Sequence, residues 1–171
     1  MPAQTADRSA LESRIPLAEI ALFRELPDEV LARIEARSQL RHFRVGDLVC
    51  DGAPDHGVCA ILDGQVAVTR AGNPTGGVLL AEVRAGECVG EFIAVAGVRA
   101  SASVRATAPT VALEIPQSAF RQLIESHPQV LLRLAAQLVA IIRRLNERLA
   151  ELGSFDEEVR RIHQELFLIT L

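Results

Sequence analysis

Apolar positions along the chain change period twice. Near the start, Ile15–Phe23 and Asp28–Ile34 space their apolar residues as two helices do, with Leu26-Pro27-Asp28 as the boundary between them. Pro27 or Asp28 falls in the first turn of the second helix, where a missing N–H costs nothing. From Leu40 to Ile115 the pattern shortens to alternating or dense β-branched runs. These are Leu40–Phe43, Asp47–Cys50, Val58–Leu62, Gln65–Thr69, Val78–Val83, Cys88–Val89, Ala100–Ala106 and Val111–Ile115. Turn formers separate them, among them Gly46-Asp47, Asp63-Gly64, Gly72-Asn73-Pro74 and Gly86. Short strands at that rhythm predict an antiparallel sandwich or barrel, with a jelly roll the natural form.

After Pro116 the helical period returns. Gln117–Glu125 reads as a short helix. Ser126 or His127 caps the next helix, and Pro128 lies in its first turn. Along that helix Leu131, Ala135, Leu138, Ile142, Leu145, Leu149 and Leu152 step alternately by four and three, an apolar heptad seam. Leu134 and Ile141 widen the stripe on one side. The seam predicts a homodimer through the long helix. Gly153-Ser154 stops it, and Asp156–Leu171 reads as a further amphipathic helix with an apolar finish at Phe167–Leu171. The expected organisation is a flexible tail over 1–13, a β-roll with entrance helices over 14–125, a dimerisation helix over 126–152, and a hinge with a following helix over 153–171.

Composition narrows the function classes. Apolar residues make up 49% of the 171 and charged residues 23%, a globular balance that excludes disorder. The net charge is −4, which lacks the footprint of a nucleic-acid binder, although all 18 basic residues are arginine. No 18-residue apolar run and no apolar leader core occur, so the expectation is a soluble cytoplasmic protein with no membrane contact. Cys50, Cys59 and Cys88 are too few and too scattered for a disulfide framework and read as buried free thiols. His42, His56, His127 and His163 form no HxH or HExxH pattern, so no metal centre is expected. Glu91 is a lone carboxylate and no Ser/His/Asp or Cys/His arrangement accompanies it, so no catalysis is expected.

Several segments carry a resemblance. They are Pro16-Leu17 to Phe23, Phe43-Arg44-Val45-Gly46-Asp47-Leu48-Val49, Ile61–Val68, Gly86-Glu87-Cys88-Val89-Gly90-Glu91 and Ser101–Ala106. Further on come Phe120-Arg121-Gln122-Leu123-Ile124, Pro128 and Arg133-Leu134-Ala135-Ala136-Gln137. Together they resemble the cyclic-nucleotide-binding domains of Crp/Fnr-type regulators, the family of the cyclic-AMP receptor protein, from about Leu17 to Leu171. The resemblance implies a cyclic-nucleotide-binding β-roll (a double-stranded β-helix or jelly roll) followed by a long dimerisation helix.

It also implies a ligand site. Gly86–Glu91 resembles the start of the family's phosphate-binding cassette, and Ser101–Ala106 its end. Gly90 then gives the close backbone approach, Glu91 the carboxylate for the ribose hydroxyl, and Phe92 and Ile93 open the short helix whose N–H groups face the phosphate. The family's phosphate arginine falls on Ala100, with Arg99 one residue earlier and Ser101 one later. Arg99 either reaches the phosphate through a bulge or is a solvated surface arginine. On the long helix, Leu145 takes the position of a family threonine and Asn146 that of the following serine, which leaves Asn146 as a base contact. The implied ligand is cyclic AMP or another cyclic nucleotide.

The expected function is the effector-binding sensor of a Crp/Fnr-type transcription regulator, homodimeric and without a recognition helix in this chain. The alternatives are a ligand-free scaffold acting through dimerisation and a protein partner at its C-terminal helix, or the regulatory domain of a larger signalling enzyme.

Overall fold

The computed structural model describes residues 14–50, 57–70, 77–97 and 102–152. A 3-10 turn at Leu17–Glu19 leads to α1 (Asp28–Ala36). Eight strands and one short helix follow: β1 (Gln39–Phe43), β2 (Leu48–Cys50), β3 (Val58–Asp63), β4 (Gln65–Arg70), β5 (Val78–Arg84), β6 (Cys88–Val89), α2 (Glu91–Ala96), β7 (Ala102–Ala106) and β8 (Thr110–Ile115). The helices α3 (Gln117–Ser126) and α4 (Gln129–Leu152) complete the described chain.

The strands form two antiparallel four-stranded sheets, in the orders β1-β8-β3-β6 and β2-β7-β4-β5. Sequence-distant strands pair: β8 lies between β1 and β3, with Leu40 opposite Leu113 and Ala60 opposite the same residue. In the second sheet β7 lies between β2 and β4, with Val104 opposite Cys50 and Val68. The fold is thus the β-roll with flanking helices and a long C-terminal helix that the sequence predicts. One cluster of its core is rich in β-branched residues. Val49, Cys50, Cys59, Ile61, Val66, Val89 and Val104 pack together, with Ile93 of α2 against them. Removing such side chains from water contributes roughly 1.5–3 kcal/mol each. All three cysteines are buried and none is in a disulfide. Burial pushes the Cys59 thiol up to about 12, with Glu114 and Cys50 adding to the rise.

The first segment differs from its sequence reading. Ile15–Phe23 is not a regular helix; only Leu17–Glu19 forms a 3-10 turn. The backbone is tied sideways instead. Ile15 N–H donates to the Leu62 carbonyl at 3.1 Å and Ala21 N–H to the Gly86 carbonyl at 2.9 Å. Leu17, Ile20, Leu22 and Phe23 are all buried, which one helical face could not achieve over so short a span. Tertiary anchoring overrides local spacing here. Strand β7 is described from Ala102, so the Ala100 and Ser101 end of the expected strand lies outside the described residues.

The chain forms two compact units, divided between His127 and Pro128. In the second unit, α4 carries Val130 and Leu134 buried, while Leu131, Leu138 and Leu145 of the expected seam stand exposed, as does Ile141. Ala135 is exposed as well, and Ile142 and Leu149 are half-buried; the Leu152 side chain lies outside the described residues. Among the described residues no helix is long and apolar enough to cross a membrane. The expectations for 1–13 and for the hinge and helix at 153–171 lie outside the described residues.

Candidate ligand-binding site

The cassette begins where β6 ends. After Cys88-Val89 the chain must reverse within one residue, and Gly90 does so with φ 87°, in the left-handed region. A Cβ on Gly90 would stand 2.8 Å from the Gly57 carbonyl oxygen, so two stretches of backbone meet there. Gly90 is also the N-cap of α2, and its carbonyl accepts from the Ala94 N–H at 2.9 Å. The helix ends as abruptly at Gly97, again left-handed, whose N–H donates to the Ile93 carbonyl at 2.8 Å. Phe92 and Ile93 are half-buried, Ile93 against the core.

Glu91 is the unusual group. It opens α2, yet it is only 7% exposed. Its Oε2 is buried with no hydrogen-bond partner. Burial raises its pKa to about 7; a hydrogen bond from its own backbone N–H pulls the other way, and the Glu87 carboxylate adds to the rise. An unpartnered buried carboxylate oxygen costs stability, and a hydroxyl donor would relieve that cost. Next to it, Cys88 is buried and its thiol is held well above its ordinary range, by desolvation first and by Glu91 second.

The start of a short helix, a left-handed glycine against neighbouring backbone and a buried acid together suit a ligand that carries both an anion and a hydroxyl. The cyclic nucleotide-binding domain matches residues 40–127, which contain the whole of this cassette and seven of the eight strands in full. The chain belongs to the cyclic nucleotide-binding domain family.

Solved structures of Crp/Fnr-type regulators share the fold. The catabolite activator protein of Thermus thermophilus is 25% identical, with a TM-score of 0.66 over 78% of this chain and 63% of that one. The sensor domain of the transcriptional regulator DNR from Pseudomonas aeruginosa is 21% identical, with a TM-score of 0.65 over 85% of this chain and 95% of that one. Glutaminase 2 of Bradyrhizobium diazoefficiens is 31% identical over 135 residues, 78% of this chain. The chain spans only 21% of that relative's length. What this cyclic nucleotide-binding domain resembles at the level of fold is a regulatory domain.

The structure brings Gly90, Glu91, Phe92 and Ile93 together in one turn and helix. Arg99, Ala100 and Ser101 lie outside the described residues. Asn146 is on α4, 8% exposed, with its Oδ1 buried and without a partner. Two residues that sequence reasoning did not single out also bear on the cassette. Arg121 Nε donates to the Ala94 carbonyl at 3.0 Å, and Gln117 Nε2 reaches the same oxygen at 3.4 Å. Both belong to α3, so the C-terminal end of the cassette helix is bolted to α3. Arg121 lay inside the Phe120–Ile124 segment of the resemblance. Its partner is 27 residues away and a backbone atom, which no side-chain pattern reveals.

Proposed function

We propose that this domain is a regulatory sensor for a cyclic nucleotide, the effector-binding part of a Crp/Fnr-type transcription regulator that acts as a homodimer in the cytoplasm. The observation that carries the reading is Glu91: a buried carboxylate with an unpartnered oxygen at the head of the cassette helix. A ribose hydroxyl donating to that oxygen would satisfy it. The ring phosphate would meet the N–H groups that follow Gly90, and Phe92 and Ile93 would hold that turn in place. The family's phosphate arginine is replaced by Ala100, which leaves Arg99 or Ser101 to complete the phosphate contact, and Asn146 is the candidate for the base. Without a charge-assisted bond worth roughly 1.5–3 kcal/mol, affinity for cyclic AMP would be about tenfold to a hundredfold below that of a site with the arginine.

In this reading, a ligand that prefers one arrangement of α2 shifts the population of arrangements of α3 through Arg121 and Gln117. The exposed leucines of α4 support pairing with a second copy. The test is titration of the chain with cyclic AMP and cyclic GMP by calorimetry, for the native sequence and for Glu91→Gln. Saturable binding that weakens at least about tenfold in the variant supports the sensor reading. No heat and no thermal stabilisation at about 1 mM nucleotide would overturn it.

A second reading is supported by Ala100 itself: a β-roll without a ligand, working as a scaffold through α4 and through a protein partner at its C-terminal helix. A third is supported by the likeness to glutaminase 2, in which a domain like this one occupies a fifth of an enzyme-sized chain and would serve as its regulatory part.

A further inference from the structure

Away from the cassette, a cleft of about 270 Å³ lies between α1 and α3, lined entirely by residues of the first unit. Its floor is apolar: Ile34 of α1 with Ala119 and Leu123 of α3, all buried. Its rim is basic. Arg33 and Arg37 stand exposed at the end of α1, and half-buried His127 also lines the cleft. Arg37 Nη1 donates to Oε1 of Gln122, so the guanidinium is already held across the mouth by a neutral group.

Among the described residues, none that lines the cleft is acidic. Among the described residues, neither Arg33 nor Arg37 has a carboxylate within ion-pair distance. His127 adds a buried Nδ1 without a partner. The cleft therefore combines an apolar floor, two arginines that form no ion pair among the described residues, and a buried polar atom without a hydrogen-bond partner.

We propose that this cleft is a second small-molecule site, distinct from the cassette, and that it takes an amphipathic monocarboxylic acid. The carboxylate sits on Arg33 and Arg37, whose fork geometry matches it, and the hydrocarbon tail lies on Ile34, Ala119 and Leu123. The volume lies just below the range of drug-sized pockets and suits a ligand of about ten non-hydrogen atoms. Basic residues in the last turn of a helix also complement its dipole. If that were their whole role, neutralising them would alter stability and leave the binding of any acid untouched.

The experiment is calorimetric titration of the 171-residue chain with octanoate and, as the uncharged counterpart, 1-octanol, each with and without saturating cyclic AMP. Two variants accompany it: Arg33→Gln with Arg37→Gln, which removes the charge, and Ala36→Trp, which fills the mouth from an exposed position. Circular-dichroism melts establish that both fold, and Arg70→Gln serves as a remote arginine control.

The expected result is saturable octanoate binding at about 1 mM or tighter. It should be weaker by at least about tenfold for octanol, for the double arginine variant and for Ala36→Trp, unchanged in Arg70→Gln and unaffected by cyclic AMP. No octanoate binding up to about 10 mM overturns the proposal. So does binding that neither variant weakens, binding of octanol as tight as octanoate, or displacement by cyclic AMP, which would place the acid in the cassette. A chain that ignores cyclic AMP but binds octanoate in this pattern leaves the second site standing while removing the sensor reading.

Discussion

Glu91 in the cassette is 7% exposed although it can ionise, whereas Leu138 and Leu145 on α4 are 44% and 50% exposed although they are apolar. Each region departs from the ordinary preference of its residues, and in opposite directions. The remedies differ in kind. A buried acid is relieved at one atom by a directional donor, so its remedy is a small ligand with a hydroxyl in the right place. Exposed leucines are relieved by area, at roughly 25 cal/mol per Å², so their remedy is another apolar surface of similar length. In the proposed reading, the contrast lets one chain carry a specific ligand site and a tolerant association surface without confusing the two.

The largest effect should come from the helix. Replacing Leu138 and Ile142 together by Asp puts two charges on the seam, and sedimentation should show the assembled mass falling to that of a single chain. An unchanged mass would leave the exposed stripe without a partner role. Next is Glu91→Gln. Its folded pKa of about 7 lies above the ordinary 4.5, so the stability it contributes is complete below pH 4.5 and is lost as pH rises through 7. The ligand-free native chain should therefore lose roughly 3 kcal/mol between pH 4.5 and about 8, and the Gln variant should not. Urea melts across that range read the difference. The same variant should bind a cyclic nucleotide less well, so stability and affinity should move in opposite directions.

Smaller still is Gly90→Ala. A left-handed alanine costs about 1–2 kcal/mol, and its Cβ would press on the Gly57 carbonyl oxygen at 2.8 Å. The melt should drop by about 2 kcal/mol, and a variant as stable as the native chain would show that the turn relaxes. The least effect is expected from Arg121→Ala, about 1 kcal/mol for one lost bond to the Ala94 carbonyl. Its better readout is local: amide exchange should quicken at Ala94–Gly97 while the β-strands stay protected.

Much of the fold was legible because the β-roll obeys local rules. Val58–Leu62 and Gln65–Thr69 were visible as strands since β-branched residues run up to Asp63-Gly64, and Gly64 turns there with φ 88°. Which strands pair was not legible, because β8 reaches β1 from the far end of the roll. Ile15–Phe23 misled because its backbone partners, Leu62 and Gly86, are distant in sequence. In the cassette, the place of Glu91 could be read from its motif but its raised pKa could not, since that depends on how completely β6 and the core exclude water. Arg33, Arg37 and Gln122 gave no sequence signal together, as only the packing of α1 beside α3 makes them neighbours.

The three buried thiols have a kinetic consequence. An alkylating reagent consumes the thiolate, and burial holds the Cys59 thiol at about 12 and the Cys88 thiol well above its ordinary range. Labelling in the native state must then wait for the structure to open. Cys50 lies in one sheet, Cys59 and Cys88 in the other. The chain thus carries its own clock: the rate at which each thiol disappears reports how often its own sheet exposes its interior, and whether the two sheets open together or one at a time.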